Sequence, residues 1–249
     1  MTTFKTCIVI VAMIAASFSA SAAQLVVVAV EGSASVNPGD VVDDAKIITL
    51  NDGVTVTLIS ATGQKLKING PYNGPLDGKK AASATGGDAK PGYDVVNSLA
   101  GLFKSKSDTK SLGAFRAALA RVPGPWMFNV AAGDSYCINP DQKPQLWRES
   151  ARKKLKVTFS AENGGVPKTV IWRKGKSTLK WPTSVALANG IVYTLKVGRR
   201  AKEQPVTARF MPQNLPSPAH QAVWMAENGC VGQARLLVVT ATTDLTVQN

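Results

Sequence analysis

Any nucleophilic or metal chemistry in this chain has few side chains to pass through: one histidine, His220, and three cysteines, Cys7, Cys137 and Cys230. A cysteine nucleophile would be Cys230, with His220 ten residues upstream as its base. That chemistry needs the imidazole within hydrogen-bond reach of the sulfur, which spacing alone does not supply. The favoured alternative pairs Cys137 with Cys230 in a disulfide. The long loop it would close is assigned ~4–5 kcal/mol by the chain-entropy model. One histidine and three cysteines rule out an ordinary zinc array. No Gly-x-Ser-x-Gly elbow and no His-Glu-x-x-His occurs. Gly175-Lys176-Ser177 has the ending of a phosphate-binding loop, but the earlier glycine of that loop falls on Val170. Asp40, Asp43, Asp44 and Asp52 do not follow the twelve-residue calcium-loop spacing. Turn chemistry, in which aspartate hydrogen-bonds nearby backbone, accounts for them. No catalytic residue, metal ligand or cofactor is assigned, and His220 reads as a polar surface residue in the first turn of a helix.

Charge is the more informative signal. The 249 residues carry a formal net charge of +13. Residues 24–100 hold six Lys/Arg against eight Asp/Glu, whereas residues 101–249 hold 22 against eight. The excess lies in three clusters: Arg152, Lys153, Lys154 and Lys156; Arg173, Lys174 and Lys176; and Arg199, Arg200 and Lys202. Such asymmetry predicts a positive field on one part of the molecule and attraction for an anionic partner. Trp147, Trp172, Trp181 and Tyr193 are interleaved with these clusters. Aromatic-plus-cation contacts with a polymer would be open to them, but aromatics at alternating strand positions read first as core.

The chain begins with an address. Lys5 precedes the apolar run from Cys7 to Ala16, and small residues follow, with Ala20-Ser21-Ala22 and Ser21-Ala22-Ala23 both fitting a signal-peptidase site. The run is shorter than the ~20 apolar residues of a membrane-spanning helix. A cleaved secretory signal over residues 1–23 is therefore expected. The protein would then be periplasmic or secreted, with no transmembrane helix after cleavage. Export also supports the disulfide, since two cysteines remain in an oxidising compartment.

The elements that must position these residues are mostly strands. Leu25–Val30, Ile47–Leu50, Val54–Leu58 and the stretch around Leu66 and Ile68 are β-branched or alternate apolar with polar residues, and turn clusters separate them. Asn51-Asp52-Gly53 reads as a hairpin-type turn. Residues 75–92 have the composition of an exposed linker. Val95, Val96, Leu99, Leu102 and Phe103, then Leu112, Phe115, Leu119 and Val122, recur at helical spacing until Pro123-Gly124-Pro125 ends the pattern. Strand patterning returns around Val157, Val170, Ile191–Val197 and Val206–Phe210. Ser217-Pro218 starts a helix and Gly229 stops it, predicting 218–228. Val231 to Leu245 fits either helix or strand.

The run Val30-Glu31-Gly32-Ser33-Ala34, then Pro38-Gly39-Asp40-Val41-Val42, Ile47-Ile48-Thr49-Leu50 and Asp52-Gly53-Val54-Thr55-Val56-Thr57-Leu58, resembles the FecR-type periplasmic domain over about 45 residues. Proteins of that family signal at the bacterial envelope. For this chain the resemblance implies a β-rich fold working outside the cytoplasm. It does not extend to sigma-factor control, for which such regulators use a cytoplasmic portion and a membrane helix. Tyr136-Cys137, Lys180-Trp181-Pro182, Val192-Tyr193 and Trp224–Cys230 resemble segments of bacterial secreted proteins of unassigned function that carry a FecR-like N-terminus.

These readings combine into a mainly β protein. A signal peptide (1–23) precedes a FecR-like small β domain (24–74), a linker (75–92) and a helical connector (93–125). A basic β-sandwich-like domain with one late helix (126–249) completes the chain. The expected role is that of a non-enzymatic binding or scaffold protein of the cell envelope, within a sensing or signalling assembly. The ten clustered cations would meet an anionic glycan, lipopolysaccharide or acidic protein. Nucleic acid is not expected, because no recognition motif for it is present. An envelope hydrolase acting on glycan or peptide is the alternative.

Overall fold

Strand β1 (Gln24–Glu31) is apolar and buried without interruption from Leu25 to Val28 because both of its faces are covered there. Leu25 and Val27 point into one core and Val26 and Val28 into another, as the two-residue period of a strand requires. The structure is a computed structural model and describes residues 23–76, 94–104, 122–131, 134–199 and 201–242. It is mainly β: fourteen strands in four sheets and three helices among the described residues.

β1 is central to an antiparallel sheet ordered β2-β1-β4-β5, with β2 (Val41–Asp43), β4 (Thr55–Ser60) and β5 (Lys65–Asn69). β3 (Ile47–Leu50) pairs instead with β6 (Tyr72–Pro75). Between these sheets lies a core that includes Leu25, Val27, Ile48, Leu50, Val56 and Leu58. Asn51-Asp52-Gly53 is therefore a corner between sheets, not a hairpin turn, since β3 and β4 pair with different partners. Period-2 patterning marks both strands, but pairing partners are a long-range choice that local turn residues do not fix. Leu76, inside the expected linker, is fully buried in this core. Residues 77–92 of that linker, residues 1–22 of the signal segment, and Leu112, Phe115 and Leu119 of the second helical pattern lie outside the described residues.

The other face of β1 meets three helices. α1 (Val95–Lys104) starts at Asp94, whose carboxylate accepts the Asn97 backbone N–H at 3.0 Å, the bond of an N-cap. It buries Val95, Val96, Leu99, Ala100 and Leu102. α2 (Pro218–Glu227) is capped by Ser217, and α3 (Val231–Thr242) follows almost at once. There are thus two late helices rather than one. The valines and threonines of α3 suit a strand, but Ala234, Leu237 and Val238 sit three and four apart on one buried face. Its threonine hydroxyls are satisfied within the helix, Thr240 donating to the Leu236 and Leu237 carbonyls and Thr242 to that of Val239.

The remaining strands form two sheets around a third core. One is ordered β11-β10-β13-β14-β8 and the other β12-β9-β7. Their ranges are β7 (Met127–Asn129), β8 (Asp134–Ile138), β9 (Gln145–Trp147), β10 (Leu155–Ala161), β11 (Lys168–Trp172), β12 (Thr178–Lys180), β13 (Val192–Val197) and β14 (Glu203–Phe210). Phe128 and Leu146 from the smaller sheet pack with Tyr136, Val157, Phe159, Trp172, Tyr193, Leu195 and Val206 from the larger. Cys137 points from β8 the other way, into the helical core, where it is bonded to Cys230 at the end of α2. The expected disulfide is present, and it ties the helices to the larger sheet across 93 residues of sequence.

Candidate anion-binding site

Antiparallel pairing decides where the basic clusters go. Leu155 at the start of β10 is opposite Trp172 at the end of β11. Val157 is opposite Val197 near the end of β13, and Lys196 is opposite Glu203 at the start of β14. The segments that leave these strand ends, 148–154, 173–177 and 198–202, therefore emerge at the same end of the sandwich. They carry the three cationic clusters, except for Lys156, which lies on β10 itself. Arg152, Lys153, Lys154, Lys156, Arg173, Lys174, Lys176, Arg199 and Lys202 are all exposed there. Arg200 lies outside the described residues.

Backbone and side-chain bonds stitch the loops together. Gly175 N–H donates to the Ala151 carbonyl at 2.8 Å, and Gly198 N–H to that of Lys156 at 2.7 Å. The strongest tie is Arg148, which charge clustering does not single out. Directly after the buried Leu146-Trp147 pair, its side chain turns inward and is only 5% exposed. Nε donates to the Lys176 carbonyl at 3.1 Å, Nη1 to that of Lys153 at 2.9 Å and Nη2 to that of Arg173 at 2.7 Å. The guanidinium lies 4.7 Å from the centroid of the fully buried Trp172 ring, in cation–π range. Nothing in its local sequence separates Arg148 from its charged neighbours.

The electrostatics favour anions. Burial pushes the Arg148 guanidinium below its ordinary pKa, but arginine stays charged in proteins. The partners named for Arg148 are carbonyl dipoles, not a carboxylate. Glu203, the acid at the start of β14, is already engaged by Lys196 at 3.2 Å.

The interleaved aromatics do not join this surface. Trp147, Trp172, Trp181 and Tyr193 are all buried. Trp181 meets Phe159 and Tyr193 edge to face, and its indole N–H donates to the Val185 carbonyl at 2.8 Å. Core packing claims them, as strand alternation implies.

His220 departs from its expected surface place. It is fully buried, with Nδ1 sharing a 2.8 Å hydrogen bond with the Ser217 hydroxyl. The cause is the β4–β5 turn. Gly63, at φ +80°, packs so close that a Cβ there would stand 2.2 Å from Ser217 Oγ. With Cys230 in its disulfide and His220 behind a turn, the two residues do not form a thiolate–imidazole pair. Of the turn aspartates, Asp40 accepts the Asn37 N–H and Asp52 that of Gly53. Among the described residues no cluster of three or more His, Cys, Asp or Glu could hold a metal ion. No described helix is long and apolar enough to cross a membrane.

No family model, no curated protein and no solved structure matches the chain.

Proposed function

We propose that this protein is an exported, non-enzymatic binding or scaffold protein of the bacterial cell envelope, and that it holds an anionic partner through the basic end of its C-terminal sandwich. The observation that carries this reading is the convergence of three cationic loops at one end of the fold. Like charges repel, so a fold that gathers them gains most from an opposite charge arriving there. The alternative, a hydrolase, would work through His220, which is buried against Ser217, or through scattered carboxylates. The FecR-type resemblance of the N-terminal strands supports a partner within an envelope sensing assembly.

The test is capture from envelope material by the protein and by a variant carrying Arg152→Glu, Lys153→Glu and Lys154→Glu. These side chains are exposed, so the thermal midpoint should stay nearly unchanged while capture weakens and wild-type capture falls as salt rises. Equal capture by the variant would remove the basis for this function.

A further inference from the structure

Resting on that reading, we infer that Arg148 is the positioning residue of the anion-binding end, and that the partner is a polyanion read as closely spaced phosphate charges. Arg148 is too deeply buried to meet a partner itself. The three carbonyls it holds belong to Lys153, Arg173 and Lys176, whose own side chains are exposed cations. One buried fork thus grips the backbone of three exposed charges drawn from two loops. Free loops would let like charges drift apart; these are held in place, so their spacing as well as their sum sets affinity.

The class of ligand follows from what surrounds the charges. Six of the nine described cations are lysines, which bind as point charges and lack the planar fork with which arginine matches carboxylate and phosphate alike, so charge density rather than fork geometry selects the ligand. The aromatic rings are buried, leaving none there to stack on a sugar or a base. Of the large apolar side chains exposed among the described residues, Ile47, Val166 and Val231 lie outside the three loops, and Ile171 stands opposite Lys156 on the neighbouring strand. Recognition therefore rests on charge, and phosphate supplies it densely, from a soluble polymer or from lipid headgroups.

The experiment measures binding of the full chain to long-chain inorganic polyphosphate, which has neither rings nor sugars, and to phosphatidylglycerol vesicles, with phosphatidylcholine as the neutral control. Arg148→Lys keeps the net charge but loses the fork. It should bind about tenfold more weakly, with a shallower slope of log affinity against log salt because fewer cations engage together. Gly175→Ala loosens the same loops without touching the core: its φ is +80° and no atom lies within 4 Å of the added Cβ. It should weaken binding in the same direction, and it decides the matter if Arg148→Lys does not fold. Wild-type affinity and slope in both folded variants, beside a weakened triple charge reversal, would overturn the positioning role alone. No wild-type binding to either phosphate probe would overturn the phosphate assignment, and with no capture from envelope material the proposed function fails too. Binding to only one of the probes upholds the inference and identifies the source of the phosphate.

Discussion

The side-chain amide of Gln233 takes the place of a neighbouring strand at Cys137. Its Oε1 accepts the Cys137 N–H at 2.9 Å, and its Nε2 donates to the Cys137 carbonyl at 2.9 Å and to that of Pro125 at 2.7 Å. β8 is an edge of the five-stranded sheet, and α3 closes that edge with one residue. Edge strands expose backbone groups that need partners.

Gln233→Ala should therefore lower stability by about 1–3 kcal/mol, the cost of leaving such groups unmet. Gln233→Glu should cost more, because a carboxylate would face two carbonyl oxygens. Urea unfolding under oxidising conditions measures both. A midpoint unmoved by Gln233→Ala would show that water replaces the amide without loss.

The disulfide beside it should resist reduction while the protein is folded, because Cys137 is fully buried and Cys230 is 3% exposed. Thiol titration after treatment with dithiothreitol should detect neither thiol of this pair in native buffer and two additional thiols per chain once urea is added. Replacing both cysteines by alanine should cost about 2–5 kcal/mol while leaving the sheet order intact. Rapid reduction in native buffer would mean that α2 and α3 open readily from the sheet.

Local patterning carried much of the fold. Alternation located Ile47–Leu50 and Lys65–Asn69, and Ser217-Pro218 located the start of α2, because strand period and capping are properties of neighbouring residues. The basic clusters were equally visible. Features set by distant contacts were not. The corner at Asn51–Gly53 depends on β6, and the burial of His220 depends on Gly63, far away in sequence. α3 is a helix because Ala234, Leu237 and Val238 find a buried surface, which its own β-branched residues do not foretell. Arg148 is the clearest case. Its composition class is that of the surface cations, and only the folded loops supply the carbonyls that draw it inside.

Tyr136 contributes a part of the stability that depends on alkaline pH. Its ring is buried between the two sheets, and its hydroxyl donates to the Trp126 carbonyl at 2.8 Å while accepting the Gln145 N–H at 3.0 Å. Burial pushes its pKa up to about 12 from 10.0, partly offset by the Gln145 bond. The unfolded chain loses this proton near pH 10 and the folded one near 12, so the native state binds more protons between them. The contribution is fully present below pH 10 and is lost as pH rises through that window, by on the order of 2 kcal/mol. Tyr136→Phe should cost about 1–3 kcal/mol at neutral pH, where the Gln145 N–H and the Trp126 carbonyl lose their partner. It should also flatten the fall between pH 10 and 12. The two proteins differ only in this hydroxyl, so the difference between their urea midpoints across that range isolates the phenol. A difference that stays constant with pH would show that Tyr136 ionises as freely in the folded protein as in the unfolded chain.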